Sequence, residues 1–274
     1  MAGKIILITL PIGNLGDLTN RARLEIEKAN LIFAEDTRVF KSLLSELGLT
    51  YSGKEIDSFH DHSKEKIEKI IEHLNNDKIV HLVSDAGSPV ISDPAYPLLE
   101  WARLNQVEVD TIPGVSSVLV ALELSLFPTQ PFSFWGFLPR TNGDKKNIFK
   151  EAYSRGGTHI YFESPHRIVE TLTLLKNNYP DFEVCVAREL TKKFQTIVHF
   201  KASDFTEDKI MIKGEFVLVV YKKLDQKEFF LDDELVQMVD QYLNEKSGPK
   251  QLAKIFSKIT GLSSSEVYNK LKKD

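Results

Sequence analysis

The stretch VSDAGSPVISDP, residues 83–94, contains almost no helix-forming residue and decides how the first half of the chain folds. Its small residues let backbone groups approach a ligand closely, and its two prolines stiffen the turn. The run before it, KIVHLV at 78–83, is apolar and partly β-branched, which predicts a strand. The loop would then leave the carboxyl end of a strand, where open α/β sheets bind ligands. The alternative is a tight structural crossover into a helix predicted at 96–104.

Working outward from this loop, strand-like runs alternate with segments of helical periodicity. The apolar runs lie at 4–10, 31–34, 79–83 and 107–112. This βαβαβαβα order predicts a mostly parallel sheet with helices on its faces, in an N-terminal α/β domain at residues 1–117. Thr19 is predicted to cap the first helix, and Asp36 or Thr37 the second, with Gly48 just after its end.

The second half of the chain has a different pattern. A composition shift at 126–139, with three prolines and several aromatic residues, predicts a domain junction. Beyond it, four strand-like segments follow with fewer helices, and they lie at 158–162, 183–187, 195–200 and 215–221. Helices are predicted at 144–154 and 165–176. Adjacent strands favour antiparallel pairs, so residues 118–226 are predicted to form an α+β domain.

Residues 229–274 form a third predicted region. Three short amphipathic patterns are separated by glycine and proline, which predicts a helix-turn-helix-like tail of three helices. From Lys246 onward the tail contains seven lysines and only two acidic residues. The lysines indicate either a phosphate-binding surface or a solvated face on a packing or dimerising appendage.

Composition places the chain among ordinary globular proteins. It has 274 residues and a formal net charge of −4, which argues against nucleic-acid binding over the whole surface but not against a local basic patch. The single cysteine, Cys185, lies in an apolar run, which excludes a disulfide framework and predicts a buried thiol in a reducing cytoplasm. The N-terminal apolar run ends at Pro11, well short of the roughly 18 residues that a membrane span needs.

Two patterns suggest other ligands. The glycine-containing turn at 11–17, followed by Glu35 and Asp36, resembles a dinucleotide fingerprint but lacks the G-x-G-x-x-G spacing. His60 and His62 could form a metal-binding pair, yet no third ligand follows at a recognisable spacing. We therefore predict neither an NAD site nor a metal site.

Eight blocks then occur in an order that is typical of one family: TLPIGNLGD, AEDTR, VSDAGSPVISDP, IPGVSS, FWGFLPR, YFESPHR, ARELTKKF and KGEFVLVV. Together they resemble the cytidine 2′-O-methyltransferases of small-subunit ribosomal RNA, a branch of the tetrapyrrole (corrin/porphyrin) methylase superfamily. The resemblance implies an α/β fold with two α/β domains of tetrapyrrole-methylase type, a cofactor cleft between them and a small C-terminal three-helix appendage. It also implies the cofactor S-adenosylmethionine, a homodimer, and a cytidine in the decoding region of 16S rRNA, within the 30S subunit, as substrate.

The cofactor is expected to contact the loops at the strand ends and Phe162, the residue that precedes Glu163 in the block YFESPHR. These residues are Leu10, Pro11, Ser84, Asp85, Ala86, Gly87, Ser88, Val90, Ser116, Ser117 and Phe162. The residues expected to bind RNA are basic, namely Arg38, Arg140, Arg167, Arg188, Lys192, Lys193, Lys250 and Lys254. Backbone phosphates are recognised by such side chains.

Methyl transfer to a ribose hydroxyl needs an aligned proton acceptor. The candidates are Asp36, Glu163 and Glu189. We favour Glu163, because it follows a predicted strand and precedes a stiff Ser-Pro. Each of the three could instead pair with a neighbouring arginine. Two other functions also stay open: methylation of a tetrapyrrole precursor with the same cofactor, and RNA binding without catalysis.

Overall fold

Two five-stranded sheets organise most of the chain in this computed structural model. The residues that the structure describes are 3–59, 64–91, 96–223, 238, 241–242, 248–260 and 263–271. The chain divides into two compact units, residues 1–223 and 224–274, and both sheets belong to the first unit.

The first sheet is parallel throughout. Its strands are β1 (Lys4–Ile8), β2 (Leu31–Ala34), β3 (Glu55–Ser58), β4 (Ile79–Val83) and β5 (Glu108–Ile112), in the order β3-β2-β4-β1-β5. The intervening helices are α1 (Asn20–Lys28), α2 (Thr37–Glu46), α3 (Lys64–Asn75) and α4 (Tyr96–Leu104). The predicted parallel α/β arrangement is confirmed. Strand β3 was missed, because EIDS is short and largely polar and so lacks the apolar signal of a strand.

Helices cover both faces of this sheet, which explains why its inner strands β1, β2 and β4 are largely apolar and buried. Successive side chains of a strand point to opposite faces. Ile6 and Ile8 accordingly pack in a cluster with residues of α1 and α2, whereas Ile5 and Leu7 pack in a second cluster with residues of α3 and α4.

The predicted helix ends are also confirmed. The Thr19 side chain accepts a hydrogen bond from the Ala22 amide at 3.1 Å, and the Asp36 side chain accepts one from the Arg38 amide at 2.8 Å. Gly48 follows the end of α2 with a φ of +69°, a left-handed conformation that favours glycine. Because both caps fix how the chain enters a helix, they also fix the loops after β1 and β2.

The second sheet is mixed. Its strands are β6 (Phe132–Phe137), β7 (Gly157–Glu163), β8 (Glu183–Arg188), β9 (Thr196–Lys201) and β10 (Phe216–Lys222). The helices in this part of the chain are α5 (Ser117–Ser125), α6 (Asn142–Arg155) and α7 (Ile168–Asn178). The strand order is β6-β7-β10-β8-β9, and the pairs are antiparallel except β6 with β7. The predicted antiparallel pairs are confirmed. The segment 126–139 is more than a junction, because its aromatic second half forms β6.

The second unit contains α8 (Pro249–Thr260) and α9 (Ser264–Leu271), which contact each other, and Ala253, Ile255 and Val267 on these helices are buried. The first predicted helix of the tail lies largely outside the described residues, and so do His60 and His62. No helix among the described residues is long and apolar enough to cross a membrane.

The cysteine prediction is confirmed. Cys185 lies on β8 as a free, fully buried thiol, and burial raises its pKa to about 12. A thiol held in this protonated form is a poor nucleophile, so we assign it no chemical role.

Candidate active site

A cavity of about 440 Å³ lies between the two sheets of the first unit. Its volume falls within the roughly 300–1,000 Å³ of pockets that hold one small ligand. One wall comes from the loops at the carboxyl ends of the parallel strands, with Ile12, Glu35, Asp85, Ala86, Gly87, Ser88, Ile91, Ser116, Ser117 and Val118. The other wall comes from the second sheet, with Phe137, Phe162, Glu163, Ser164, Pro165, Leu190, Gly214, Glu215, Phe216 and Val217.

The loop after β4 forms part of the first wall, as the sequence predicts. Leu10 and Gly87 exchange two backbone hydrogen bonds, at 2.9 and 3.1 Å, which tie the loops after β1 and β4 together. Gly87 has a φ of +73°, so a residue with a Cβ would be strained there. The buried Ser84 hydroxyl donates to the carbonyl oxygens of Ala86 and Gly87, which closes the turn.

Most of the predicted cofactor residues line this cavity. They are Asp85, Ala86, Gly87, Ser88, Ser116, Ser117 and Phe162. Four others lie outside the lining: Leu10, Pro11 and Ser84 are buried, and Val90 packs against the core on the α3–α4 face. Direct contact of these four residues with the cofactor stays a prediction.

Acidic side chains connect the loops after β2 and β4. The Asp85 amide donates to Glu35 Oε2 at 3.0 Å, and the Asp36 amide donates to Asp85 Oδ1 at 3.0 Å. Partial burial, together with the nearby charges of Glu35 and Asp36, raises the pKa of Asp85, although the bond from the Asp36 amide opposes this. Two carboxylates, Glu35 and Asp85, therefore stand next to each other on the cavity wall.

Asp36 itself has a different role. Its side chain accepts hydrogen bonds from Arg38 Nη2 at 2.6 Å and Nε at 3.1 Å. The Arg38 side chain and amide hold the pKa of this carboxyl well below its usual range. A carboxylate with a lowered pKa is a weak base, and Asp36 does not line the cavity. These contacts favour the helix cap and ion pair over the predicted role of proton acceptor.

Glu163 is the centre of a buried ionic cluster. Its side chain is completely buried, and Oε1 lies 2.7 Å from Arg167 Nη2. Oε2 accepts the Thr171 hydroxyl at 2.7 Å and lies 3.6 Å from Nζ of Lys145, whose side chain is also completely buried. Lys145 Nζ in turn donates to Thr171 at 2.9 Å. Since both carboxylate oxygens are occupied, the structure supports the ion-pair alternative for Glu163.

Glu189, the third acidic candidate, is also committed to local contacts. It accepts the Glu215 amide at 2.9 Å and lies 3.1 Å from Lys192 Nζ. The bond from the Glu215 amide, followed by Lys192, lowers the pKa of Glu189, although burial opposes this. Gly214 has a φ of +95° and lies so close that an added Cβ would come within 2.6 Å of the Glu189 carboxyl. These contacts favour the ion-pair alternative for Glu189, which does not itself line the cavity.

Three of the predicted RNA-binding residues are buried or half-buried and engaged within the protein. Arg188 is buried and donates to the carbonyl oxygens of Lys213 and Phe194 and to the Thr196 hydroxyl. Lys192 Nζ bonds both Glu189 and Glu215, and Arg167 is held by Glu163. The side chains that remain exposed are Arg38, Arg140, Lys193, Lys250 and Lys254.

The charge of the cavity restricts its ligands. Four acidic residues line it, Glu35, Asp85, Glu163 and Glu215, but the Glu163 carboxylate is completely buried, and both Glu163 and Glu215 have lysine or arginine partners within 4 Å. Among the described residues, no lysine or arginine lines the cavity. Nor do the described residues contain a group of three or more His, Cys, Asp or Glu side chains placed to hold a metal ion. The site is therefore suited to a ligand with positive charge near Glu35 and Asp85.

Several lining residues were not predicted from sequence. Glu35 and Phe137 line the cavity but were not among the predicted site residues, although Glu35 was expected to face the same crevice as the 83–94 loop and Phe137 stands in the block FWGFLPR. A signal for Glu35 existed, because it directly follows strand β2 at the carboxyl edge of the sheet. Leu190 and Gly214 enter the lining through distant loops that give no local signal.

Comparison with protein families identifies relatives of this sequence. The model of the Tetrapyrrole (Corrin/Porphyrin) Methylases matches residues 4–206. A curated relative from Rickettsia prowazekii (strain Madrid E), named Ribosomal RNA small subunit methyltransferase I, is 39% identical over 79% of this chain and 77% of its own. A protein of the same name from Neisseria meningitidis serogroup B is 33% identical over 98% of this chain and 93% of its own.

Solved structures share the fold at lower identity. The crystal structure of diphthine synthase aligns with a TM-score of 0.64 and 16% identity, over 81% of this chain and 90% of that one. A uroporphyrin-III C-methyltransferase from Thermus thermophilus, solved with S-adenosyl homocysteine, aligns with a TM-score of 0.54 and 16% identity, over 80% of this chain and 98% of that one. At this identity the alignments establish the architecture of the two sheets and no more.

Proposed function

The chain belongs to the tetrapyrrole (corrin/porphyrin) methylase family, and we propose that it is an S-adenosylmethionine-dependent methyltransferase of small-subunit ribosomal RNA. The relatives that span nearly the whole chain carry the name of that activity. The finer proposal is transfer to the ribose 2′-oxygen of a cytidine in the decoding region of 16S rRNA. It includes 16S rRNA, free or within the 30S subunit, as substrate and a homodimer, as the sequence resemblance implies, and a cytoplasmic location, as the single buried cysteine indicates.

The main structural support for S-adenosylmethionine as the cofactor is the negative charge of the cavity wall. S-adenosylmethionine has a sulfonium and an ammonium group, both of which are stabilised by nearby carboxylates such as Glu35 and Asp85. NAD has a pyrophosphate instead, which proteins hold with backbone amides at a helix N-terminus and a glycine-rich turn. The acidic wall would repel that group.

The first prediction concerns Asp85. Asp85→Ala should weaken binding of S-adenosylhomocysteine, which keeps the ammonium, because it removes a charged acceptor and releases the Asp36 amide. A charge-assisted hydrogen bond contributes about 1 to 3 kcal/mol, or roughly 5- to 150-fold in affinity. Titration calorimetry measures the change.

Asp208→Ala is the control, because Asp208 is exposed and lies outside the cavity lining. Its affinity should equal that of the unaltered protein. An Asp85→Ala protein that melts normally and binds S-adenosylhomocysteine with unchanged affinity would show that the cofactor does not occupy this wall. Tight NAD binding by the unaltered protein would contradict the cofactor assignment as a whole.

The reaction is an in-line displacement at the sulfonium methyl carbon. The ribose 2′-oxygen forms the new bond to the methyl group, the thioether leaves, and the hydroxyl proton passes to a base. We propose Glu35 as that base. It lines the cavity, and one of its oxygens is fixed by the Asp85 amide, which orients the carboxylate. Glu35 thus replaces Asp36, Glu163 and Glu189, whose carboxylates are held by cationic partners.

RNA binding requires positive charge outside the acidic cavity. In the first unit Arg38, Arg140 and Lys193 are exposed, and in the second unit Lys250 and Lys254 are exposed one turn apart on α8. We propose that these residues contact phosphates, because each neutralised phosphate releases counterions and adds affinity.

The second prediction tests the tail. The double variant Lys250→Ala/Lys254→Ala should bind 30S subunits more weakly, and the slope of log affinity against log salt should fall in magnitude by about 1 to 2. Its affinity for S-adenosylhomocysteine should not change. The matched control is Lys146→Ala/Lys150→Ala, an exposed pair with the same spacing on α6. Equal salt slopes for the two double variants would indicate that Lys250 and Lys254 lie on a solvated face of the tail that does not contact RNA.

A further inference from the structure

Phe137 is the most exposed aromatic residue of the cavity wall. Its side chain is 60% exposed although it lines the cavity, whereas neighbouring Leu138 is 2% exposed and packs in the core of the second sheet. Large apolar side chains that line a pocket and stay open to solvent commonly form the surface that a ligand covers. Phe137 is thus available to a molecule that enters the cavity.

A bulge in β6 directs Phe137 to this position. The pairing of β6 with β7 is regular from Phe132 to Phe134, shifts, and resumes at Phe137 opposite Phe162. Gly136, inside the irregularity, has a φ of +72°. A bulge changes the direction in which the following side chain points, and bulges are frequent next to active sites.

The ring and its backbone are held firmly. Phe137 packs edge-to-face on Phe162 with centroids 5.2 Å apart, and Phe162 packs in the same way on Phe134 at 4.9 Å. Directly after Phe137, the carbonyl oxygens of Leu138 and Pro139 each accept a hydrogen bond from Arg167 Nη1 at 3.1 Å. The buried ionic cluster of Glu163 and Arg167 therefore fixes the segment that carries the exposed ring.

The space available defines what Phe137 can contact. A cavity of about 440 Å³ accommodates one small ligand, so a bound cofactor leaves the nucleotide at the exposed rim. RNA bases that are unstacked in loops and single strands are commonly received by aromatic side chains.

We propose that Phe137 is the stacking surface for the base of the nucleotide that is methylated. This inference rests on the proposed function, since it assigns the RNA contact of the same site. Phe137 holds the nucleotide so that its ribose hydroxyl faces the cofactor and Glu35. It is a substrate-binding residue that takes no part in proton transfer.

The experiment compares Phe137→Ala, Phe137→Tyr and Phe132→Ala in the full-length protein. Phe132 begins the same strand, is also exposed, and lies outside the cavity lining, which makes it the matched control. Each variant is assayed for kcat/KM of methyl transfer to undermethylated 30S subunits and for S-adenosylhomocysteine affinity by calorimetry. Melting temperatures identify any variant that does not fold.

We expect Phe137→Ala to lower kcat/KM by roughly 5- to 150-fold, the usual effect of losing one base–aromatic stack. Phe137→Tyr keeps an aromatic face and should retain activity, as should Phe132→Ala. Cofactor affinity should be the same in all proteins. Unchanged kcat/KM in Phe137→Ala, or a loss of cofactor affinity that accounts for its defect, would overturn the inference.

A failure of the proposed function itself would look different. In that case the unaltered protein would transfer no methyl group to 30S subunits, and the inference would fall with it. If Phe137→Ala proves unstable, Phe137→Leu is the replacement, because it keeps the apolar contact with Phe162 and removes only the aromatic face. It should show the same loss of kcat/KM.

Discussion

Glu35→Gln should lower kcat for methyl transfer by roughly 10²- to 10⁴-fold, the range that general base catalysis contributes. Glutamine keeps an oxygen that can accept the Asp85 amide, so the wall retains its shape while the base is lost. Affinity for S-adenosylhomocysteine should fall far less than kcat. Single-turnover kinetics with saturating 30S subunits and cofactor measure the chemical step separately from binding.

Glu163→Gln provides the contrast for this prediction. Glu163 is buried and bonded to Arg167 and Thr171, so its replacement should lower stability and leave the chemical step intact. If Glu163→Gln loses kcat while Glu35→Gln keeps it, the assignment of the base is wrong and the interpretation from sequence was right. Both variants are compared at a temperature at which each is folded.

Lys145→Met should destabilise the first unit by about 1 to 3 kcal/mol, the usual cost of taking one hydrogen-bond partner away from buried polar groups. The Lys145 ammonium is completely buried, 3.6 Å from Glu163 and 2.9 Å from Thr171. Methionine fills the space but leaves the Glu163 carboxylate with Arg167 as its remaining cationic partner. The midpoint of urea unfolding, followed by far-UV circular dichroism, measures the loss.

Lys146→Met is the control, because Lys146 is the next residue on α6 and is exposed. Surface substitutions usually change stability by less than about 0.5 kcal/mol. Equal unfolding midpoints for the two variants would mean that the buried cluster contributes nothing to stability. The rigidity that we ascribe to the segment after Phe137 would then lack its support.

Local features of the fold could be predicted from the sequence. Thr19 and Asp36 are caps whose partners lie two or three residues away, so the pattern contains the whole interaction. The loop after β4 could be located because its small residues and prolines directly follow a strand. The parallel sheet followed from the alternation of elements.

Contacts between distant segments could not be predicted in this way. Lys145 has the sequence context of an ordinary surface lysine, and only the packing of α6 against α7 buries it beside Glu163 and Thr171. The same is true of Arg188, whose three partners come from three different positions after β8. Phe137 reaches the cavity through a bulge, which the aromatic pattern of β6 does not reveal.

The central claim is that this chain methylates small-subunit ribosomal RNA, and product mapping tests it most directly. Full-length protein is incubated with labelled S-adenosylmethionine and undermethylated 30S subunits, and the RNA fragments are analysed by mass spectrometry. We predict label on the ribose 2′-oxygen of one cytidine in the decoding region. Label on a porphyrinogen offered in parallel, with none on RNA, would contradict the account, and so would 30S binding without any transfer of label.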